Sequence, residues 1–194
     1  MMRAFIVLVA ASALIGAYRD LAAQRVAVDL RAVGATSTQR LAGADLGLGV
    51  GFGMAVGYHL QPHLVAYGGW DWVHFQADRS FAGPDMDFEE TGYTAGLRFE
   101  HPIGAETLTL FRVEAGATYK HVEVENLGGD IVDDSGHDLG FEAGGGLVLA
   151  LGESWRFTPT LRFRSLSPTF DILGVAAKSD LRYAGIEVGV SRKF

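Results

Sequence analysis

The sequence predicts an all-β fold, an eight-stranded antiparallel up-and-down transmembrane β-barrel. Apolar and polar residues alternate with period two over most of the chain after residue 24. Glycine accounts for 26 of the 194 residues, about twice its usual share. The connections between the alternating segments are short and long in turn, which is typical of a chain that crosses a membrane repeatedly as strands.

The composition excludes several other classes of protein. The chain has no cysteine, so disulfides, thiolate nucleophiles and cysteine-ligated metal sites are ruled out. Apolar and aromatic residues make up 48% of the chain, which is too many for a disordered protein. The 16 basic and 23 acidic residues give a net charge of −7 without a basic cluster, so we expect no binding to nucleic acid.

Residues 1–23 have the parts of a secretory signal peptide. Arg3 gives a positive start, an uncharged apolar run covers residues 4–17, and small residues follow at Ala22 and Ala23. The run is shorter than the about 20 residues that a membrane-spanning helix needs. A buried helix is the alternative for this segment. We predict that 1–23 is cleaved and that the exported β-barrel domain spans 24–194.

The eight predicted strands rest on period-two alternation. In residues 46–60, the even positions from Leu46 to Tyr58 are all apolar, whereas five of the odd positions are glycine. Each interior glycine would cost a helix up to about 1 kcal/mol, so a strand is favoured. The predicted strands are 26–32, 46–60, 63–78, 92–100, 111–120, 138–149, 155–164 and 184–192.

One strand and one connection are ambiguous in the sequence. In 63–78, the aromatic residues Trp70 and Trp72 occupy one face, but Asp71 and Phe75 share the other. The connection 167–179 is apolar, and it could fold over the barrel mouth, contact a partner or line an entry for an apolar solute. The other predicted long connections, 36–43, 79–87 and 125–136, are mostly polar.

The apolar face of the strands could point into a soluble sandwich or outward into lipid. Phe111 and Tyr119 lie eight residues apart on one face, which is about 26 Å along a strand. Aromatic residues at two such levels are typical of membrane interfaces. The opposite face combines charges with glycine, as a narrow lumen requires. These observations favour a barrel whose apolar face meets lipid.

The last strand, residues 183–194, alternates apolar residues and ends in Phe194. In this respect the mature chain resembles the small eight-stranded outer-membrane β-barrel family of the OmpA membrane domain and OmpX type. The resemblance implies a bacterial outer-membrane location, contact with outer-membrane lipids and lipopolysaccharide, and recognition of Phe194 by the barrel assembly machinery. Arg192 departs from the pattern, which usually has an apolar residue there.

The face opposite the apolar one carries charges that nearly balance. It has seven basic side chains and six acidic ones, whereas an ion-selective pore usually has an excess of one sign. Because unpaired buried charges are unfavourable, we predict a plugged lumen held by an ion-pair network. The predicted network residues are Asp29, Arg31, Arg98, Arg112, Glu114, Glu142, Arg156, Arg162, Arg164 and Glu187. The alternative is a small gated channel for apolar or minor solutes.

The outer rim raises two further hypotheses. Lipid A deacylases have a serine two residues from a histidine, but His121-Val-Glu123 and His74-Phe-Gln76 have none. Eight acidic residues fall in or beside two long connections, where we expect solvated loops, with weak divalent-ion bridging to lipopolysaccharide as the alternative. They are Asp85, Asp87, Glu89, Glu90, Asp130, Asp133, Asp134 and Asp138.

The sequence therefore predicts a non-enzymatic outer-membrane protein without a cofactor or metal site. Its expected role is structural, adhesive or protective at the cell surface, with the long connections in contact with a surface ligand. A channel is the second hypothesis and a lipid-modifying enzyme is the third.

Overall fold

The computed structural model describes residues 25–104, 108–172 and 174–194, without the side chains of residues 78 and 172. Eight long strands form the wall: β1 (Val26–Ser37), β2 (Leu48–Gln61), β3 (Leu64–Ser80), β4 (Gly83–Pro102), β5 (Thr109–Glu125), β7 (Asp138–Ala150), β8 (Trp155–Leu166) and β11 (Leu181–Lys193). Three four-residue strands lie in the connections: β6 (Ile131–Asp134), β9 (Thr169–Ile172) and β10 (Val175–Lys178). The predicted signal peptide, 1–23, lies outside the described residues.

The wall closes on itself as a barrel. Each wall strand pairs antiparallel with the next, and β1 pairs with β11 in continuous register from Ala27–Lys193 to Ser37–Tyr183. The predicted fold, an eight-stranded antiparallel up-and-down barrel, is confirmed. No helix of the described residues is long and apolar enough to cross a bilayer.

The strands extend further than the sequence predicts on the side of the long connections. The predicted connection 79–87 is wrong: β3 and β4 continue as a hairpin, with Phe81 and Ala82 at its turn. The segment 125–136 contains β6, and 167–179 folds into the β9–β10 hairpin. Beyond the membrane the outer face of a strand meets water instead of lipid, so outward positions such as Asp87 and Glu89 are polar and the apolar outer face that marks a membrane strand is absent.

The wall has an apolar outer surface and a mixed inner one. Leu30, Leu97 and Ile186 expose more than half of their surface, whereas their charged neighbours in sequence are buried in the lumen. A soluble sandwich would have the reverse arrangement. In β3, Asp71 faces the lumen and Trp70 faces outward, which resolves the ambiguity of that strand.

Aromatic side chains form two levels on the outer surface. Near the short turns, which are periplasmic in outer-membrane barrels, the rings of Phe99 and Phe111 lie 5.9 Å apart. Toward the long connections, the ring of Phe52 lies 5.7 Å from that of Trp70, and Tyr93 pairs with Tyr119 across β4 and β5. The two levels mark the two interfaces of the bilayer.

Candidate functional site

The inner half of the lumen, from the periplasmic end to about the level of Asp71, is filled by charged side chains. Asp71 is fully buried, and its carboxylate contacts three cations. Arg31 Nη2 and Arg164 Nη2 each lie 3.0 Å from Asp71 Oδ2, and Lys120 Nζ donates to Asp71 Oδ1. Asp71 is therefore the hub of the charged network.

Glycines beside the hub make room for these side chains. Five residues lie side by side on the consecutive strands β1 to β5, and charged residues alternate with glycine. In strand order they are Arg31, Gly53, Asp71, Gly92 and Lys120. A Cβ atom on Gly53 would lie 2.7 Å from Asp71 Cβ, and one on Gly92 would lie 2.6 Å from Lys120 Cα. A larger residue at either position would displace the hub.

A second group of ion pairs continues toward the periplasmic end. Arg98 contacts Asp29 at 2.7 Å and Glu114 at 2.8 Å. Arg162 contacts Glu114 at 2.5 Å and also donates to Glu142. Each of these carboxylates and guanidinium groups is at least nine-tenths buried, so their pairing offsets a large desolvation cost.

Glu187 and Arg164 join this group to the hub. Glu187 Oε1 lies 2.9 Å from Arg162 Nε and 3.4 Å from Arg164 Nη2, and its other oxygen lies 3.5 Å from Arg31 Nε. Arg164 also contacts Glu142 at 2.9 Å. The result is one continuous network.

Two predicted network residues lie apart from it. Arg112 pairs with Glu100 at 2.7 Å, near the periplasmic opening. Arg156 lines a void beside Lys193, and no ion pair joins it to any described residue. The structure thus brings eight of the ten predicted residues into one network, with Arg112 in a separate pair and Arg156 unpaired within the described ranges.

Glu90 is a lumen residue that the sequence analysis placed in a solvated loop, and that placement is wrong. Its side chain is 1% exposed, and Glu90 Oε1 lies 2.6 Å from Lys120 Nζ. With Glu90 the lumen carries seven basic and seven acidic side chains, so the formal charges cancel. Period-two continuation of 92–100 toward residue 88 is the signal that could have identified it.

The charged half leaves almost no free space. Two voids among its side chains have volumes of about 10 Å³ each, one beside Thr158 and Thr160 and one beside His59 and Val65. A single water molecule needs about 10–15 Å³. A larger concavity of about 500 Å³ is lined mainly by outward-facing residues such as Phe163 and Ala184 on the lipid-facing wall. The described lumen is plugged by its own side chains.

The outer half of the lumen, between the hub and the long connections, is apolar. Its wall residues are fully or nearly buried, and Phe75 packs edge-on to Tyr183 with ring centroids 5.3 Å apart. They are Val33, Ala35, Val73, Phe75, Ala77, Phe88, Val122, Val124, Leu166, Leu181 and Tyr183.

Four residues from the connections close this apolar half, and we call them the roof. Leu41 and Ala44 come from the first long connection, Phe81 from the β3–β4 turn and Phe170 from β9. Leu41, Ala44 and Phe170 are fully buried, and the Phe81 and Phe170 rings lie 5.2 Å apart. The sequence left three roles open for the connection 167–179. The burial of Phe170 over the apolar half agrees with one of them, in which the connection folds over the barrel mouth.

The outer wall above the aromatic level carries histidines and carboxylates. His74 Nδ1 lies 3.2 Å from Glu89 Oε1, and His121 Nε2 lies 3.2 Å from Glu123 Oε1. Burial and the nearby carboxylates of Glu89 and Glu123 raise the pKa of Glu125 above its usual value. Glu89, Glu123 and Glu125 form an acidic patch on β4 and β5. The sequence analysis placed Glu89 in a solvated loop, whereas it lies in a strand.

The serines near the rim contact other partners. Ser167 Oγ donates to Asp180 Oδ1 at 2.8 Å, and Ser80 Oγ donates to the Gly83 carbonyl at 3.2 Å. Within the described ranges, no hydrogen bond joins a serine to His74 or His121. The arrangement needed to activate a serine nucleophile is not assembled among these side chains.

The chain end completes the seam of the barrel. The Phe194 backbone N–H donates to the Val26 carbonyl at 2.9 Å. Arg192, which departs from the family pattern, places its guanidinium 5.4 Å from the Trp155 ring and 4.9 Å from the Phe194 ring. Recognition of Phe194 by the assembly machinery stays a prediction.

Comparison with known proteins gives the same architecture. A model of the outer membrane protein β-barrel domain matches residues 4–194. The structure of neisserial surface protein A is 17% identical with a TM-score of 0.63, over 87% of this chain and 97% of that one. OprG from Pseudomonas aeruginosa is 13% identical with a TM-score of 0.56, over 90% and 99% of the two chains. Outer membrane protein W of E. coli is 13% identical with a TM-score of 0.54, over 89% and 98%.

A search of the curated proteins found no match. At the identities of the structural relatives, the similarity bears on the fold alone.

Proposed function

This chain belongs to the outer membrane protein β-barrel domain family, and on that basis we propose that it is a closed, non-enzymatic barrel of the bacterial outer membrane that acts at its outer surface. The lumen serves as a rigid anchor. The outer strand extensions and the exposed parts of the connections form the surface that meets lipopolysaccharide and surface ligands.

The filled lumen carries this proposal. Two voids in the charged half have volumes of about 10 Å³ each, and the roof residues Leu41, Ala44 and Phe170 are fully buried above the apolar half. A hydrated ion would have to break several buried ion pairs at once, each at a cost of about 3–5 kcal/mol. Cancelling charges also give no selectivity for either sign of ion.

Conductance in a planar lipid bilayer tests the proposal. The refolded, purified barrel is added across a range of salt concentrations, and a general-diffusion porin in the same bilayer shows that the assay detects open pores. We expect no unitary current steps from this protein. Reproducible steps from the unmodified chain would overturn the closed-barrel proposal.

The apolar outer half favours a second candidate, a channel for small apolar solutes. Phe75, Phe88 and Phe170 would bind such a solute through apolar contact once the roof opened. Uptake of an apolar hydrocarbon by cells with and without the protein tests this candidate. Uptake that depends on the protein and changes in a Phe170→Ala variant would favour it over the closed barrel.

A further inference from the structure

Two histidines on the outer wall face each other above the aromatic level, and we call them the outer histidine pair. His121 lies in β5 with its side chain outward, and His137 lies directly before β7. His121 Nδ1 is 3.3 Å from His137 Nδ1 and 3.1 Å from His137 Nε2. The Tyr119 ring packs against His137 with centroids 4.8 Å apart.

Glu123 orients the His121 ring and favours one of its tautomers. Its Oε1 atom lies 3.2 Å from His121 Nε2, and an ionised carboxylate can only accept a hydrogen bond. The proton of neutral His121 therefore resides on Nε2, and Nδ1 directs its lone pair at His137. A carboxylate behind the ligating ring is the usual arrangement around metal-bound histidines.

His121 Nδ1 lies nearly equally far from both ring nitrogens of His137, which places it over the face of that ring. Rotation of the exposed His137 side chain directs one of its nitrogens toward an ion bound to His121 Nδ1. Two ring nitrogens bound to one tetrahedral zinc ion at 2.0–2.1 Å lie about 3.3 Å apart. We propose that His121 and His137 bind a zinc-class divalent cation through their ring nitrogens, with Glu123 orienting His121. The positions that remain are open to water or to an oxygen ligand, because the pair is at the protein surface.

The surrounding charges favour a cation at this place. Glu89 faces Glu123 directly across β4 and β5, and Asp87 faces Glu125. Like charges directly opposite in a sheet are destabilising, and a bound cation offsets that repulsion. Nitrogen ligands select zinc-class ions over Ca²⁺ and Mg²⁺, which prefer oxygen alone.

A second pair of histidines at the periplasmic end supplies a matched control. The rings of His63 and His101 lie 4.7 Å apart, close to the 4.3 Å of the outer pair. However, His63 Nδ1 lies 2.9 Å from the Glu100 carbonyl oxygen, so that nitrogen is engaged by the backbone. No contact between the ring nitrogens of these two residues occurs in the described structure.

Zinc binding to the untagged, refolded barrel tests the proposal by competition with a chromogenic chelator in detergent. We expect one Zn²⁺ per chain, and we expect His121→Ala or His137→Ala to weaken binding at least tenfold. Glu123→Gln should weaken it by about tenfold, as loss of a partner behind a ligand usually does. His63→Ala should leave binding unchanged. Far-UV circular dichroism verifies that each variant keeps its strands.

Three results would overturn the proposal. One is the absence of stoichiometric zinc binding to the folded wild-type barrel. Another is zinc binding that survives His137→Ala but is lost in Glu89→Gln, because the acidic patch alone would then hold the ion. The third is displacement of bound Zn²⁺ by equimolar Ca²⁺. The experiment does not depend on whether the lumen conducts, so it stands apart from the closed-barrel proposal.

Discussion

The inner and outer halves of the lumen are enclosed by the same eight strands but are filled in different ways. In the inner half, all side chains that fill the lumen come from the wall strands. Each charged group of the network there forms an ion pair with a specific partner, as Asp71 does with Arg164. In the outer half, apolar wall residues pack with Leu41 and Phe170 from the connections. The inner half therefore depends on specific ion pairs, whereas the outer half depends on apolar side chains of suitable volume.

The difference follows from what each kind of contact tolerates. A buried charge without its partner is strongly destabilising, whereas an apolar contact can be replaced by another of similar size. The inner half therefore requires fixed strand positions. The outer half can accept residues from connections, which are the more variable part of such a barrel.

The largest expected effect is at the hub. Asp71→Ala removes the carboxylate shared by Arg31, Lys120 and Arg164. We expect the free energy of unfolding to fall by about 5 kcal/mol, the upper end for breaking a buried ion pair. Urea unfolding in lipid vesicles, followed by tryptophan fluorescence, measures it.

The control for the hub is an exposed ion pair. Arg40 and Asp45 are 2.6 Å apart, but both side chains are about 70% exposed. Asp45→Ala should cost at most about 1 kcal/mol. Similar losses for Asp71→Ala and Asp45→Ala would contradict the role of the hub.

A smaller effect is expected in the apolar half. Phe75 is fully buried against Tyr183, and Phe75→Ala leaves a cavity that should cost about 3 kcal/mol. The same unfolding experiment measures it, with the lipid-facing Val50→Ala as control at about 1 kcal/mol or less. A Phe75→Ala cost no larger than that of Val50→Ala would show that the outer half is loosely packed.

Glu90 faces the lumen and its neighbour Glu89 faces outward, so substitutions at the two positions compare a buried carboxylate with one on the outer surface. Glu90→Gln removes one of the two carboxylates that contact Lys120 but keeps a hydrogen-bonding group, so we expect a loss of about 1.5 kcal/mol. Glu89→Gln changes an outward-facing residue and keeps an oxygen that can accept from Trp72 Nε1, so it should cost at most about 1 kcal/mol. The comparison is made in the presence of a chelator. Equal effects would argue against burial of Glu90.

The smallest expected effect is on ionic conductance after removal of part of the roof. A variant without residues 170–177 loses Phe170 from the roof but keeps every ion pair of the inner half. We expect no ionic conductance from this variant in planar bilayers. Conductance would mean that the roof, and not the charged network, closes the barrel.

The membrane-embedded part of the fold could be predicted because lipid imposes strict alternation on it. Outside the membrane that constraint ends, so the extensions of β3 and β4 and the burial of Glu90 were missed. Asp71 is one of the six acidic side chains on the charged face that the sequence predicts, but its strand is ambiguous in the sequence, and its place as hub depends on the register of five strands. His121 and His137 are 16 residues apart, and their contact depends on how β6 folds back on β5.

The alternation of glycine with charged residues around Asp71 also bears on the register in which the wall strands pair. Arg31, Gly53, Asp71, Gly92 and Lys120 lie side by side on consecutive strands. A slip of β3 by two residues keeps each side chain on its face and re-forms most backbone hydrogen bonds, but it moves Gly69 or Val73 to the position of Asp71. Arg31, Lys120 and Arg164 would each lose one of their carboxylate partners, so the misaligned register would be electrostatically less favourable. The lumen charges therefore favour the observed register of the wall strands over that alternative.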